Sequence, residues 1–473
     1  MIYLYAIFLN IIFGISIVTL LVNLPNRKSS IVFVLSLGIL IGTIGLGAIY
    51  GAIAFFFPII YNNRILIDTL ITLCVFILAW RKGSFERIIG KIHFRKKIDV
   101  LNLIMFFYGI FWCCIIVGEL YMEPDGGFDS WMMWNLKARA LAASGGDISV
   151  TLLNGYQNSD YPLLLPYINA RAFQSFGAYS TIIPRITMLL FYIAFMGVFI
   201  SFVALLKGRL VACFVMGIMF SIPYPRKIFI SQYADGPIFT LFMALFAVIW
   251  LNEIFNKAEP GKEYYHISFI LPGILLGALI LMKNEGILLA GSFFCVYILF
   301  HFIEKRTSII SKVVLQMALG SLLFIMLFFS ARIYYPTENA FISTNILEKF
   351  QGFIDISRYK TIAVYLFKEI FSDHWLFIPV LLSFVPFVLG FISCWKKATI
   401  IMLFPIVISF IGYMAIYLII SDNLQWYLRF TIDRVISHLV PAYLLYLIII
   451  TRVPLRYQDR NLENYNFQGS ILQ

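Results

Sequence analysis

The stretch YLYAIFLNIIFGISIVTLLV, from Tyr3 to Val22, is 20 residues long and contains no charged side chain. A run of roughly 20 mostly apolar residues is what a helix needs to cross the hydrocarbon core of a bilayer. Similar runs recur along the 473 residues, of which 61% are hydrophobic and only 13% are charged. The mean hydropathy of +0.89 is far from that of a soluble domain. The composition therefore predicts an integral membrane protein and excludes a soluble globular one.

The apolar runs predict an all-α integral membrane protein with about 13 transmembrane helices. The predicted spans cover roughly residues 3–22, 31–58, 65–80, 99–119, 180–205, 209–222, 236–252, 267–282, 285–303, 313–333, 374–393, 399–420 and 435–451. This pattern divides the chain into an N-terminal three-helix extension with a basic cytoplasmic loop (1–98), a transmembrane core (99–451) and a cytoplasmic tail (452–473). The core is predicted to include two long outer loops, at 120–179 and 334–373.

The segment between Trp80 and Ile98 sets the predicted orientation, since it has seven lysines and arginines against the single acid Glu86. Loops rich in lysine and arginine stay on the cytoplasmic side of a membrane. Later basic turns, such as 207–209 and 257–262, fall on the same side when the spans are counted outward. We therefore assign much of the net charge of +12 to membrane orientation, and we expect no nucleic-acid partner.

A helix is predicted from about Ser130 to Ala143, after a bend at the Gly126-Gly127 pair. Its tryptophans and small apolar residues share one face at helical spacing, which is typical of a juxtamembrane helix on the outer surface. Lys137 and Arg139 are expected to reach lipid headgroups from this helix. The helix would hold Asp129 at the membrane boundary.

Asp129 has two possible roles at the start of this helix. As an N-cap it would stabilise the helix by about 1 kcal/mol. As a general base it would accept the proton of an acceptor hydroxyl while that oxygen attacks an anomeric carbon, and partial burial would tune its pKa upward. Asp125 is a nearby competitor for the base, but its position between Pro124 and Gly126 is typical of a turn residue.

Asp235 stands at the mouth of an apolar span, a few residues after Arg226 and Lys227, which are the main basic residues on the predicted outer face. Gly236 and Pro237 suit the start of a helix, so capping is one interpretation. The other is a second carboxylate that faces Asp129 and binds a metal ion or orients a substrate hydroxyl. A divalent cation is therefore left open as a cofactor.

The turn Lys283-Asn284-Glu285-Gly286 joins two predicted spans with almost no loop. Charges at membrane depth are costly unless they pair with one another or face a polar cavity. Lys283 and Glu285 can neutralise each other, which is one interpretation. The other, which we favour, assigns Lys283 to a phosphate and Glu285 to a sugar hydroxyl.

Tyr161 lies in the proline-bounded stretch DYPLLLP, residues 160–166, within the first outer loop. A rigid loop that leads back to the membrane is the simpler interpretation of such a stretch. The alternative is that Tyr161 or Asp160 contacts the acceptor.

Arg434 and His438 carry polar chemistry into the last predicted span, and their spacing of four places them on one helix face. A guanidinium binds phosphate oxygens in a bidentate manner and stabilises the charge of a departing phosphate. The alternative is that Asp433 neutralises Arg434 and that His438 is a buried, hydrogen-bonded imidazole. We assign Arg434 to phosphate binding and place His438 with it as a candidate substrate ligand.

The stretches FDSWMMWNLKA (128–138), YADGP (233–237), KNEG (283–286) and RVISHLVP (434–441) resemble the GT-C superfamily of membrane glycosyltransferases. Its relatives include the protein O-mannosyltransferases and the aminoarabinose transferases of lipid A. The resemblance covers roughly residues 99–451. It implies a GT-C-like core with a catalytic base in the first outer loop, which maps to Asp129, and a second acid in the next, which maps to Asp235.

The resemblance also implies a polyprenyl-phosphate sugar as donor, a glycan, lipid or protein as acceptor, and commonly inversion at the anomeric centre. Two features depart from the better-known members. Three predicted spans precede the core, and the chain has no large C-terminal soluble domain. Because such a domain is absent from the sequence, the chain resembles the oligosaccharyltransferase-like members less than the others.

The expected function is therefore a glycosyltransferase of the bacterial inner membrane whose active site faces the extracytoplasmic side, with the phosphate held by Arg434 aided by Lys283 or Arg226. A transporter or flippase for lipid-linked glycans is the rival from another class, because intramembrane charges also mark transport routes. Transporters tend to have matching broken spans in two halves, whereas the polar residues here gather on one predicted face. A polysaccharide polymerase or ligase is a third possibility, kept open by the segment 334–373.

Overall fold

The computed structural model describes residues 2–24, 28–89, 100–153, 159–176, 180–255, 266–303, 307–336, 351–372, 374–390, 397–420 and 423–452. Three sequence-based predictions lie largely outside these residues: the end of the basic loop before Ile98, the basic turn 257–262 and the tail from residue 453. The predicted outer loop 334–373 is described only in part.

The described chain is almost entirely helical. The α-helices are α1 (Ile2–Leu21), α2 (Lys28–Phe56), α3 (Arg64–Arg81), α4 (Ser84–Ile89), α5 (Val100–Met122), α6 (Asn135–Ala143), α7 (Ser149–Leu153), α8 (Leu164–Phe176), α9 (Ile182–Lys207), α10 (Arg209–Ser221), α11 (Pro223–Ile230), α12 (Asp235–Phe255), α13 (Ile270–Met282), α14 (Glu285–Ile303), α15 (Thr307–Tyr334), α16 (Ile356–Ile370), α17 (Ile378–Leu389), α18 (Lys397–Ile419), α19 (Leu424–Ser437) and α20 (Val440–Ile450). A 3₁₀ helix covers Pro58–Asn63 and a π-helical turn covers Ser130–Trp134. The strands β1 (Val22–Asn23) and β2 (His266–Ile267) pair antiparallel.

Among the described residues, nine helical segments are long and apolar enough to cross a bilayer, when Leu424–Ile450, which includes α19 and α20, is counted as one segment. The bent pair α10–α11 makes a tenth if it counts as one span. The helices are those of a multi-pass membrane protein, as predicted, but the expected count of about 13 is not confirmed. Helices α13 and α17 have 13 and 12 residues. A helix of that length covers about 20 Å, less than the roughly 30 Å of a hydrocarbon core.

Helix α12 lies at the centre of the bundle. Its side chains from Ile238 to Leu251 are all buried, because α9, α13, α14, α18, α19 and α20 surround it. A helix that is apolar on every side is stable in this way only when other helices or lipid cover it completely. Asp235 is the first residue of α12, so its carboxylate is fixed at one end of the central helix.

The N-terminal helices pack closely against one another and against the rest of the bundle. Helices α1 and α2 touch through their backbones: a Cβ atom on Gly14 would lie 1.8 Å from the Gly38 carbonyl oxygen. Small residues of this kind let membrane helices approach closely. Helix α2 in turn packs along α8 and α9. The segment that precedes the predicted core is thus continuous with it in space.

A buried ion pair ties the N-terminal helices to α8. The Nε atom of Arg171, on α8, lies 2.7 Å from Oδ2 of Asp68, on α3, and both side chains are 5% exposed. The Nη1 atom of Arg171 also donates to Asn10 on α1, at 2.8 Å. One arginine therefore joins three helices.

We expect Arg171→Met to lower the free energy of unfolding by about 3–5 kcal/mol, because it leaves the buried Asp68 carboxylate without its cation. The double variant Arg171→Met/Asp68→Leu should recover most of the loss, since two apolar side chains can replace a buried pair. Unfolding of the purified protein in mixed micelles with increasing SDS, followed by circular dichroism, measures both values. A double variant as unstable as the single one would contradict the explanation.

Candidate functional site

Charged side chains at the ends of four helices contact one another. Asp235 and Glu285 are the first residues of α12 and α14, where the helix dipole favours an anion. Lys283 directly follows α13, and Arg434 and His438 occupy the last turn and C-cap of α19, where the dipole favours a cation. Together with Asp129 these residues form what we call the ion-pair cluster.

Asp235 is the hub of the ion-pair cluster. Its Oδ1 atom lies 2.9 Å from Lys283 Nζ and 2.8 Å from His438 Nε2. Its Oδ2 atom accepts from Arg434 Nη2 at 2.7 Å and from Arg434 Nε at 3.1 Å. The side chain is only 1% exposed. One fully buried carboxylate thus holds three basic side chains in fixed positions.

Arg434 connects this hub to Asp129. Its Nη1 atom lies 2.7 Å from Asp129 Oδ2. Asp129 makes no capping hydrogen bond to the helical segment that follows it, so the capping interpretation of this residue is wrong. The proposed neutralisation of Arg434 by Asp433 is also wrong: Asp433 Oδ1 accepts from the backbone N–H of Arg434 at 2.8 Å, while the guanidinium binds Asp129 and Asp235.

Lys283 also contacts Glu285, with 2.9 Å between Nζ and Oε1. Burial alone lowers the pKa of Lys283, but the carboxylates of Asp235 and Glu285 outweigh burial, so the pKa is raised and the amine stays protonated. The two charges of the turn do pair, as one interpretation held, but Lys283 is shared with Asp235. The Oε2 atom of Glu285 is buried without a hydrogen-bond partner among the described residues.

The side chains of the ion-pair cluster differ in exposure. Asp235 and His438 are buried, Arg434 and Glu285 are each 18% exposed, and Asp129 is 31% exposed. The ring of Tyr233 lies against the guanidinium of Arg434, with 4.5 Å between the ring centre and Cζ. Asp129 is therefore the carboxylate that a molecule from outside reaches first, and Asp235 serves to hold the cations.

His438 is completely buried, with its two ring nitrogens near Asp235 and the hydroxyl of Tyr413, the latter 3.1 Å from Nδ1. This arrangement suits a neutral imidazole that donates from Nε2 and accepts at Nδ1. The interpretation of His438 as a buried, hydrogen-bonded side chain matches this geometry.

Two predicted site residues do not pair within the cluster. Arg226 forms an ion pair with Glu119 at 2.9 Å and lies over the ring of Trp112, 4.7 Å from its centre. Tyr161 packs edge-to-face against Trp134. Burial raises the pKa of Tyr161, and the negative charge of Glu285 raises it further. Tyr161 is therefore within electrostatic range of the ion-pair cluster.

An amide network that sequence reasoning did not find holds the Asp129 segment in place. Asn135 Nδ2 donates to Ser130 Oγ at 2.7 Å and to Gln232 Oε1 at 3.1 Å, while Asn135 Oδ1 accepts from Asn169 Nδ2 at 3.1 Å. Gln232 has a left-handed backbone, with φ of 57°, and its side-chain amide donates to the carbonyls of residues 123 and 124. A single polar residue within an apolar stretch is the only signal that could have indicated Asn135.

The bend before Asp129 is tightly docked on the segment before α12. Gly126 has a φ of +71°, and a Cβ atom there would lie 2.5 Å from the carbonyl oxygen of Ser231. The backbone N–H of Gly127 donates to the same oxygen at 2.9 Å. The glycine pair therefore helps to bring Asp129 and Asp235, which lie on separate segments, to a shared arginine.

A second buried polar group lies beside the ion-pair cluster. The Oδ2 atom of Asp160 accepts from Asn284 Nδ2 at 2.9 Å, and Arg332 binds both the Asp160 carbonyl oxygen and, at 3.1 Å, Asn284 Oδ1. Lys137 is also buried next to Asp160. The expectation that Lys137 reaches lipid headgroups is wrong, because α8 packs over that side of α6.

Burial lowers the pKa of Lys137 to about 8, although Asp160 opposes the shift. Below about pH 8 the folded state carries the full cost of a buried ammonium, about 3 kcal/mol from the size of the shift. Between pH 8 and 10.5 the folded state releases its proton first, so stability rises with pH. We therefore expect Lys137→Met to stabilise the protein at pH 7 and to lose that advantage towards pH 10.5. Micelle unfolding across this pH range tests it; an equal advantage at both ends contradicts it.

Within the described parts of the chain, no group of three or more His, Cys, Asp and Glu side chains is placed to hold a metal ion. The participation of a divalent cation stays a prediction.

No known protein family, no curated protein and no solved structure matches this chain.

Proposed function

We propose that this protein is a membrane glycosyltransferase that moves a sugar from a polyprenyl-phosphate donor to an acceptor hydroxyl on the extracytoplasmic side of the bacterial inner membrane. One observation carries the proposal. The side chains that were chosen from separate stretches for this chemistry lie in one connected cluster: Asp129, Asp235, Lys283, Glu285 and Arg434. The sugar and the side of the membrane rest on the resemblance and on the basic loops.

The chemistry assigned to the cluster is a single displacement. The acceptor oxygen attacks the anomeric carbon of the donor and its proton passes to Asp129. The bond from that carbon to the phosphate oxygen breaks, and its electron pair leaves with the polyprenyl phosphate. Asp129 suits the base because it is the most exposed carboxylate of the cluster. The unpartnered Oε2 atom of Glu285 suits a hydroxyl of the donor sugar.

In this scheme, Arg434 couples the binding of the donor phosphate to the activation of Asp129 as the base. In the structure its guanidinium binds Asp129 and Asp235 together. Asp235 is buried and also held by Lys283, whereas the Asp129 contact is partly open to solvent. A phosphate therefore competes most easily for the Arg434 atoms that face Asp129. Its arrival would release the Asp129 carboxylate to accept a proton, with Lys283 as a further positive charge.

A divalent cation bridging Asp129 and Asp235 does not fit the cluster as it stands. The guanidinium of Arg434 lies between the two carboxylates, at 2.7 Å from each. A metal ion there would have to displace it. We therefore derive no step through a metal ion.

A flippase for lipid-linked glycans is the second candidate. The pair α10–α11 is bent by 61° at a proline, and broken helices are common in transporters. The glycosyltransferase is favoured because the ion-pair cluster combines an accessible carboxylate, Asp129, with basic side chains that the buried Asp235 holds in place.

Cells with and without the gene should differ in their lipid-linked sugars and envelope glycans when both are compared by mass spectrometry. In cells without the gene, we expect a sugar to be missing from one glycan and a polyprenyl-phosphate sugar to accumulate. Re-expression of the wild-type chain should reverse both changes, and the Asp129→Asn chain should reverse neither. If cells without the gene export less of a glycan, but the composition of that glycan is unchanged, the result would favour the flippase.

A further inference from the structure

Asn284 lies between two residues of the ion-pair cluster, yet its own side chain contacts other parts of the protein. Its Nδ2 atom donates to Asp160 Oδ2 at 2.9 Å, and its Oδ1 atom accepts from Arg332 Nη2 at 3.1 Å. Its chain neighbours Lys283 and Glu285 contact each other at 2.9 Å within the cluster. One residue therefore connects the cluster to the segment before α8 and to the last turn of α15.

The link that carries Asn284 is short. Helix α13 ends at Met282 and α14 begins at Glu285, so two residues join them. The backbone N–H of Gly286 donates to the carbonyl oxygen of Lys283 at 2.9 Å, which closes the turn. In a link of two residues, a displacement of Asn284 is passed directly to the residues on either side of it.

The partners of Asn284 are themselves held in place. Arg332 donates from the same Nη2 atom to the backbone carbonyl oxygen of Asp160, and the Asp160 side chain is buried. The next residue, Tyr161, lies within electrostatic range of Glu285. Arg332 therefore fixes the Asp160 segment to the turn at two points, and that segment borders the cluster as well.

The side chain of Asn284 has its chemistry directed into this network. Its carbonyl oxygen and its amide nitrogen both bind protein groups. A reacting group must be held within about 0.5 Å of its productive position, and this accuracy depends on residues behind it whose own positions are locked. The network of Asn284, Asp160 and Arg332 supplies such support for Lys283 and Glu285.

We propose that Asn284 is a positioning residue of the ion-pair cluster, which sets Lys283 for the donor phosphate and Glu285 for the donor sugar. The inference rests on the proposed function, because those two ligands belong to the transferase. It deepens that function by extending the site to Asp160 and Arg332, which act through Asn284.

Asn284→Asp tests this role, because it places a carboxylate opposite the Asp160 carboxylate and removes the hydrogen-bond donor between them. We expect sugar transfer per folded molecule to fall about 10²-fold, since a misplacement of about 1 Å can cost that much. The affinity for polyprenyl phosphate should fall at least about tenfold, the effect of one lost hydrogen bond to a charged group. Transfer of labelled sugar in membranes and microscale thermophoresis in nanodiscs measure the two effects.

The exchange variant Asn284→Asp/Asp160→Asn rebuilds the network with donor and acceptor reversed. The new amide at position 160 can donate to the new carboxylate at position 284, and Arg332 keeps an acceptor there. The net charge is that of the wild type. Transfer and phosphate affinity should both return to within about threefold of the wild-type values, because substitutions of two contacting partners are not additive.

Asn63→Asp is the matched control. Asn63 is exposed just before α3, and its side chain makes no capping hydrogen bond. The same substitution there should leave transfer and phosphate affinity at the wild-type level. If Asn284→Asp does not fold, Asn284→Gln replaces it: the amide and the net charge are kept, but the longer side chain shifts the turn, so both values should again fall.

Two results would overturn the positioning role. The first is a folded Asn284→Asp chain with wild-type transfer and phosphate affinity, even if unfolding in mixed micelles is easier, since Asn284 would then serve stability alone. The second is an exchange variant as impaired as Asn284→Asp. Either result, together with Asp129-dependent transfer by the wild type, leaves the proposed function intact. Phosphate affinity that falls in Asn284→Asp and returns in the exchange variant, without sugar transfer by any chain, would support the positioning role and overturn the transferase.

Discussion

Asp129→Asn is expected to reduce sugar transfer by about 10²–10⁴-fold, the contribution typical of a general base. The substitution keeps the shape of the side chain but removes its ability to take up a proton. Its effect on folding should be small, since the ion pair with Arg434 is 31% exposed on the Asp129 side and such pairs contribute about 0–1 kcal/mol. Transfer of labelled sugar in membranes that contain equal amounts of each chain measures the first effect, and unfolding in mixed micelles measures the second.

Asp125→Asn is the matched control for this experiment. Asp125 lies four residues earlier, is 55% exposed and has only a long contact of 3.8 Å with Arg139. Its amide variant should therefore transfer sugar at the wild-type rate. The assignment of the base fails if Asp125→Asn loses transfer while Asp129→Asn retains it. Equal losses in both would point to the docking of the whole segment as the cause.

The positions of the charged side chains at the helix ends were predictable from the sequence, because charges next to apolar runs are rare and costly. Asp235, Glu285 and Arg434 each lie at a boundary of an apolar stretch, and such residues need partners or a polar cavity. The pairing among them was not predictable. Arg434 is 199 residues from Asp235 and 305 residues from Asp129. Contacts at such separations depend on how the helices pack, which hydropathy does not report.

The errors of the sequence analysis have related causes. Helical periodicity placed Lys137 on the polar side of α6 but could not show that α8 covers that side as well. The span count depended on apolar runs, and α13 shows that an apolar run can form a helix of only 13 residues. The network of Asn135 and Gln232 was missed because its one sequence signal, a polar residue within an apolar stretch, does not show which distant side chain is the partner.

Arg434→Met is expected to weaken the binding of polyprenyl phosphate, the product shared by all donors of this class, and to reduce transfer about 10²–10³-fold. The guanidinium joins Asp129 to Asp235 and is still 18% exposed, so a ligand can reach it. Arg434→Met also removes one of the cations that bind the buried Asp235 carboxylate, so the free energy of unfolding should fall by about 3–5 kcal/mol. Binding is followed in nanodiscs by microscale thermophoresis.

Arg434→Lys separates the structural loss from the chemical one. Lysine keeps the positive charge beside Asp235, so most of the stability should return. A compact ammonium cannot bind two carboxylates and a phosphate with the geometry of a guanidinium, so transfer should stay low. A lysine variant that is both stable and fully active would show that charge alone is needed at this position, against the phosphate exchange proposed for Arg434.

Arg226→Met is the matched control for Arg434→Met, because Arg226 and Arg434 have similar surroundings. Each is 18% exposed, each is ion-paired, and each guanidinium lies over an aromatic ring, at 4.7 Å for Arg226 and 4.5 Å for Arg434. They differ in that Arg226 binds Glu119, outside the ion-pair cluster. If exposure and pairing alone governed phosphate binding, both methionine variants would lose it equally. The proposed site instead requires a much larger loss for Arg434→Met, and the opposite ranking would assign the phosphate to Arg226.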